Sequence, residues 1–307
     1  MLKYLVILLD EKSVSFCHYP NPAKENKLIS QEDLKAGILF AMKENLNIQF
    51  VYSNEDLPKE YSEIINTIDH SDIKPISKQK ADVLVCNSIT EFSNSEINKE
   101  QVYVLRTDKE DFFANLSLLK TSIFKTQRVN IVFTDIDTFA EKDFEKYKEA
   151  LKELSLETEK RIEKGEFSQI NILTDRIMLK QMNNCNAGVE VITLAPNGKF
   201  YVCPAFYLED EKQSIGSLSG GVNIKNAQLY ALDHAPLCRI CDSYHCKRCV
   251  WLNKKTTLEV NTPSKEQCVV SHLERNAARD LLLKTQIFDN EIKEIDYLDP
   301  FDVREQW

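Results

Sequence analysis

Glycine is scarce in this chain, with seven residues in 307. Neither G-x-G-x-x-G nor a Walker sequence occurs, so dinucleotide and P-loop chemistry lack their usual backbone cradle. Long apolar runs are missing too, and none approaches the roughly 20 residues of a membrane span. The opening Met1–Asp10 is apolar but short, with no small-residue cleavage site after it. It therefore reads as a first core strand rather than a secretory signal, and the expected compartment is the cytoplasm. Positive charge is in deficit: 39 Lys and Arg face 48 Asp and Glu, a net charge of -9. That balance argues against a general nucleic-acid binder. The five histidines form no H-E-x-x-H pair, and no convincing Ser/His/Asp set is visible. His18 and His70 read as surface or structural residues.

What is present is unevenly spread. Five of the seven glycines fall between Gly188 and Gly221, and seven of the nine cysteines fall between Cys185 and Cys268. Residues 185–268 carry 9 Lys and Arg against 8 Asp and Glu, so the cysteine-rich stretch is the least acidic part of the chain. Before it lie six short apolar runs: 4–9, 48–52, 82–86, 102–105, 129–133 and 170–173. Near-continuous Val, Ile, Tyr and Phe is how strands buried on both faces of a parallel sheet read. Helical stripes lie between several of them. Ser30 stands three residues before Asp33, the spacing of a capping box. Behind it, Leu34, Ile38, Leu39 and Met42 are expected on one buried face. Further stripes run over 57–68, 112–123 and 144–154, the last with Gly165 as its C-terminal stop. Alternating strands and helices imply an α/β body with a parallel sheet. Periodicity alone leaves an open doubly wound sheet and a partial barrel both standing. Cys86 ends one of the runs and reads as a small buried hydrophobe.

The densest chemistry is Cys238-Arg239-Ile240-Cys241, four residues, then Cys246-Lys247-Arg248-Cys249. Each C-x-x-C turn can aim two thiolates at one metal centre. In a reducing compartment such clusters are metal ligands more often than disulfides. Upstream, 189–194, Pro196-Asn197-Gly198 and 199–202 read as a β-hairpin with an Asn-Gly type I′ turn. Cys185 stands at its start and Cys203 at its end, a plausible ligand pair. Four ligands serve one zinc ion or one iron–sulfur cluster, so seven are too many for one centre and one short of two. Zinc held by Cys238, Cys241, Cys246 and Cys249 is the competing reading, with the other three cysteines merely buried.

Cys185-x-x-Gly188, a hairpin with Gly198, Cys203-Pro204, Gly216-Ser217-Leu218, two close cysteine pairs and an isolated Cys268 together resemble a SPASM domain. This is the seven-cysteine extension of radical S-adenosylmethionine enzymes that mature peptides and proteins. The spacing departs from the family by one residue fewer both between and within the central pairs. The resemblance implies two 4Fe-4S clusters. Cys238, Cys241, Cys246 and Cys268 would hold the second, and Cys185, Cys203 and Cys249 the first. It leaves the first with one open or non-cysteine position, able to take a substrate thiolate. Lys247, Arg248, Lys254 and Lys255 would offset part of the clusters' negative charge.

The companion radical domain would need C-x-x-x-C-x-x-C after the first strand. Only Cys17 stands there, with Ser13 and Pro20, or Asp10 and Val14, at the partner positions. Ser53-Asn54-Glu55-Asp56-Leu57 resembles a worn G-G-E-P-L cofactor loop. The implied fold is α/β: a partial (β/α)6-like barrel over 1–184 lacking the radical cluster motif. A SPASM-like domain over 185–272 and a C-terminal helix with an acidic tail over 273–307 follow. The whole chain also resembles CXXX repeat peptide maturases. That likeness implies a cysteine-containing precursor peptide as partner, with a separate radical S-adenosylmethionine enzyme beside it; charge and the lack of a long apolar run imply no nucleic acid and no membrane. The missing ligands imply that the chain does not generate the radical alone. The alternative is a non-redox scaffold that binds a peptide or protein around structural zinc. The tail carries seven acidic and two basic side chains among Ile287, Phe288, Ile292, Tyr297, Leu298, Phe301 and Trp307. It reads either as a partner contact or as a segment packed on its own barrel.

Overall fold

A computed structural model describes residues 2–23 and 26–285; the acidic tail lies outside them. One sheet carries the whole body. Strand β1 (Tyr4–Leu8) leads through helix α1 (Gln31–Glu44) to β2 (Asn47–Val51), and α2 (Lys59–Ile65) leads on to β3 (Ser71–Pro75). Next come β4 (Val83–Cys86), α3 (Ile89–Asn94), β5 (Val102–Thr107), α4 (Lys109–Ala114) and α5 (Leu116–Ser122). Strand β6 (Arg128–Phe133), the long α6 (Glu141–Glu163) and the short β7 (Gln169–Ile170) complete the parallel run.

Five of the six apolar runs are strands. The sixth is mostly not. Only Gln169 and Ile170 pair with β6, and the chain then enters a π-helical turn over Asn171–Asp175 that runs into α7 (Arg176–Met178). Asn171 explains the break. Its side-chain amide donates to the Ile131 carbonyl at 2.9 Å and accepts from the Ile131 N–H at 2.7 Å. One side chain thus takes over both ladder bonds that a strand residue would have made. Strand β3 escapes the apolar pattern because Asp72 and Lys74 pair with each other at 2.6 Å and Lys74 lies over the Tyr52 ring. It is nonetheless bonded on both sides, to β2 and β4.

The helices follow their caps more closely than their faces. The Ser30 hydroxyl accepts from Asp33 N–H at 3.0 Å, as the capping pattern implies. Leu34 and Ile38 are buried, but Leu39 and Met42 are 64% and 61% exposed. The buried face runs instead through Leu34, Gly37, Ile38 and Ala41. Small residues win there because α1 lies close on the sheet: a Cβ at Gly37 would sit 2.4 Å from Leu194. The 112–123 stripe is two helices that meet at Asn115. Gly165 ends the last turn of α6 with φ +76° and its N–H on the Ile162 carbonyl.

Strand β8 (Val191–Leu194) joins the other side of β1 in parallel. Strand β9 (Lys199–Tyr201), β10 (Gly216–Ser217) and β11 (Gly221–Val222) continue from it antiparallel. The sheet order is β11-β10-β9-β8-β1-β2-β3-β4-β5-β6-β7, so it runs unbroken across the proposed boundary at 184/185, and β7 and β11 are its two edges. The hairpin forms where expected, but not around a type I′ turn, since Asn197 does not take a positive φ. Gly198 alone does, at +73°, with its N–H on the Ala195 carbonyl at 3.0 Å. Pro196 in the second position fits a type I turn closed by a left-handed glycine. The remaining helices are α8 (Pro204–Glu209), α9 (Val250–Thr257) and α10 (Lys265–Thr285), the last packed along α6. Among the described residues, no helix is long and apolar enough to cross a membrane.

Candidate metal centres

The seven predicted cysteines divide into two groups, and an eighth joins them. Cys185 lies before β8, Cys203 caps α8 and Cys249 caps α9. Their thiols lie close enough to perturb one another. The thiol of Cys17, on the loop after β1, is hydrogen-bonded side chain to side chain with Cys249 and sees Cys185 and Cys203 as well. Cys17 is not among the ligands expected from the sequence. The second group is Cys238 in a single 3-10 turn, Cys241, Cys246 and Cys268 on α10, again mutually perturbing. Cys86 ends β4 as a buried residue with its thiol pushed far up by burial, as a packed hydrophobe should be.

Burial sets the chemistry of the thiols. It is the largest cause pushing Cys203, Cys238, Cys246 and Cys268 up, Cys238 to about 12. Neighbouring sulfurs add to this in the same direction. Cys185 is the most exposed residue of its group, yet its thiol is raised by desolvation and by Cys17. Cys17 goes the other way. The hydrogen bond from Cys249 holds it well below the ordinary thiol range, helped by His18 and Lys247, while Cys249 is driven up.

Several sulfurs also receive N–H donors, the bonds that tune iron–sulfur ligands. Backbone N–H groups of His18, Ala187 and Arg248 donate to Cys17, Cys185 and Cys246, and those of Ala205 and Phe206 both donate to Cys203. Ser243 N–H lies 3.4 Å from the Cys241 sulfur. The Ser271 hydroxyl bonds Cys246, and His272 Nε2 lies 3.4 Å from Cys241.

Arg248 stands between the two groups. It is 1% exposed, adopts φ +40°, and gives one N–H to the Tyr230 carbonyl at 2.6 Å. Its Nε and Nη1 are buried without a hydrogen-bond partner, and its charge bears on both Cys185 and Cys238. A buried guanidinium with two orphaned donors is costly unless an anion lies beside it. Thiolate-ligated clusters, formally near -2 each, would be such anions. The Tyr19 hydroxyl is buried near Cys17 and Cys203. These features fit the group that the SPASM resemblance implies. Lys247 acts on Cys17 and Cys185 as expected. Lys254 and Lys255 do not face the thiols. Lys254 bonds Gln213, and Lys255 pairs with Asp137 at 2.6 Å.

The alternative zinc set needs Cys249 beside Cys238, Cys241 and Cys246, whereas the sulfurs that act on it are those of Cys17, Cys203 and Cys185. Among the described residues, no group of three or more His, Cys, Asp or Glu side chains converges to hold a single ion.

Sequence reasoning missed a buried polar cluster behind the second group. His245, from the spacer between the central pairs, meets Glu274 of α10 at 3.0 Å, and Glu274 accepts from the Tyr147 hydroxyl of α6 at 2.6 Å. A cavity of about 40 Å³ opens beside them, lined also by His18, Asn171, Lys247 and Cys246. His18, read as a surface or structural residue, is buried with Nδ1 2.7 Å from the Phe133 carbonyl. His245 carried one usable sign, its place between metal-ligand cysteines. Glu274 and Tyr147 carried none.

Where the radical motif would lie, hydrogen bonds replace ligands. The Ser13 hydroxyl donates to the Val51 carbonyl at 2.8 Å, and Ser53 donates to the buried Asp10 carboxylate at 2.5 Å. The segment after β2 is thus tied to the segment after β1.

No protein-family model and no curated protein matches the sequence. Solved structures do. The anSMEcpe structure with bound AdoMet and Cp18Cys peptide superposes with a TM-score of 0.65 at 11% identity, covering 94% of this chain and 100% of that one. A second, with AdoMet and Kp18Cys peptide, gives 0.63 at 10% identity over 92% and 100%. A third, with AdoMet, gives 0.62 at 10% identity over 94% and 97%. At such identity the likeness is one of fold: the chain has the α/β architecture of radical SAM/SPASM enzyme structures across almost its whole length.

Proposed function

We propose that this protein is an iron–sulfur protein acting in the maturation of a cysteine-containing peptide. It would bind the precursor, or pass electrons beside a separate radical S-adenosylmethionine enzyme. One observation carries the reading: buried thiols gathered in two groups around an orphaned guanidinium, within a radical SAM/SPASM fold. Cys238, Cys241, Cys246 and Cys268 would hold one 4Fe-4S cluster, and Cys185, Cys203 and Cys249 would serve the other. When bound, such clusters supply one-electron transfer at potentials set by hydrogen bonds, charge and burial. The chain's own part is to supply those settings: N–H donors to the sulfurs, Arg248 and Lys247 as fixed positive charge, and a dry interior.

The fold neighbours bind AdoMet and a peptide. Peptide binding transfers readily to this proposal. AdoMet chemistry does not, because Asp10, Ser13 and Ser53 stand as hydrogen-bonding residues where thiolates and a glycine loop are needed. The chain is therefore assigned an auxiliary role, and its RiPP-type peptide and CXXX-repeat partner follow the family resemblance alone.

Anaerobic purification and reconstitution, followed by iron, sulfide and zinc assays, tests the reading. About eight irons per chain are expected, four for each cluster. Stoichiometric zinc without iron would establish the scaffold alternative. Reductive cleavage of S-adenosylmethionine by the isolated protein would overturn the auxiliary assignment.

A further inference from the structure

We propose that Cys17 is the fourth thiolate of the centre formed with Cys185, Cys203 and Cys249, so that this centre is closed by protein and takes no substrate thiolate. The inference rests on the two-centre reading above and sharpens it. A residue left from the place of a lost motif becomes a ligand to a different site.

The geometry of the loop carries the argument. Cys17 belongs to an irregular stretch that is nevertheless fixed on every side. Arg106 of β5 donates from Nε to the Cys17 carbonyl at 3.0 Å and from Nη2 to the Tyr19 carbonyl at 2.8 Å. The same guanidinium is held by Asn87 at 2.6 Å. His18 is tied to the end of β6, and Ser13 to the end of β2. Asn21 closes the loop by donating to the carbonyls of Glu11 and Ser13, both at 2.8 Å. These bonds fix the backbone on both sides of Cys17, and its thiol meets that of Cys249.

Three further observations agree. The Cys17 sulfur receives a backbone N–H, as do those of Cys185 and Cys203. Lys247 acts on both Cys17 and Cys185, and the buried Tyr19 hydroxyl lies near Cys17 and Cys203, so shared polar groups link three of the four sulfurs. Cys86 supplies the contrast: it is fully buried in the same core, yet no cysteine is its neighbour. Burial in this protein does not by itself bring a thiol to the group.

A four-thiolate centre has no free iron position. Its chemistry is then outer-sphere electron transfer, and a precursor cysteine must be recognised elsewhere.

The test compares anaerobically reconstituted full-length protein with Cys17→Ser and Cys86→Ser variants. Iron and sulfide are counted per chain, and reduced and oxidised samples are examined by electron paramagnetic resonance. The wild type and C86S should each hold about eight irons. C17S should drop to about four, or retain a three-iron cluster with its own oxidised-state signal. Eight irons with unchanged spectra in C17S overturn the proposal and leave the two-centre reading intact. A wild type without iron overturns that reading and this inference with it. A second measurement does not depend on the variant folding. Native wild-type protein is alkylated with iodoacetamide before and after iron is chelated, and the sites are mapped by mass spectrometry. Cys17 should become labelled only after chelation, together with Cys185, Cys203 and Cys249. Labelling of Cys17 that does not follow the other three sinks the assignment.

Discussion

Arg248 lies between the two groups of thiols and its charge acts on both. Its left-handed backbone, its burial and its two orphaned donors are separate costs, of order 1–3 kcal/mol each for such features. Its hydrogen bond to the Tyr230 carbonyl does not offset them. A pair of anionic clusters would. Replacing Arg248 by Met keeps the stem volume and deletes the charge. The reconstituted variant should show a more negative reduction potential for at least one centre, because added negative charge is then less well stabilised. A redox titration followed by electron paramagnetic resonance reads this directly, and an unchanged potential at both centres would remove Arg248 from the electrostatics of the site. Lys254 and Lys255 make the complementary point. They follow Cys249 by little more than one helical turn, but α9 turns them toward Gln213 and Asp137.

Element-scale reading succeeded where a rule was local and failed where the neighbour decided. The Ser30 cap and the Gly165 stop act within one helical turn, so sequence spacing suffices to find them. The buried face of α1 is different. Hydropathy favours Leu39 and Met42, but the close approach of Leu194 selects Gly37 and Ala41. Gly37→Ala therefore sets two effects against each other. Helix propensity gains about 1 kcal/mol, while overpacking against the fully buried Leu194 costs roughly 1–3 kcal/mol. Net destabilisation of up to about 2 kcal/mol is expected from urea unfolding, and a stabilised variant would show that Leu194 moves aside freely. Asn171 teaches the same lesson in the sheet. An Asn-Ile-Leu sequence extends an apolar run on paper, and only the partner strand reveals that the amide has replaced the backbone.

At the scale of the whole molecule, metal is expected to act as a cross-link. Cys17 comes from the first loop, Cys185 and Cys203 flank the hairpin on β1, and Cys249 and Cys268 begin the last two helices. Ligation at two centres would join segments that are distant along the chain, and binding free energy becomes folding free energy. A constraint of this kind is worth about 3 kcal/mol or more, which moves the melting temperature of a chain this size by roughly 5–10 °C. Anaerobic calorimetry before and after chelation should show at least that loss, and an unchanged melting temperature would mean that the thiols are held by packing alone. Seven of the eight clustered cysteines, most of the strands and the parallel architecture were legible in the sequence, because each is declared by residue type at short spacing. Spacing alone did not give the partition of the thiols, which came only with the family resemblance, and nothing in the sequence placed Cys17. The second C-x-x-C pair sends Cys246 to one group and Cys249 to the other, and Cys17 reaches Cys249 only because β5 and β6 pin its loop. Ligand chemistry is thus written in the sequence, while the choice of which ligands meet depends on long-range packing, which no local spacing encodes.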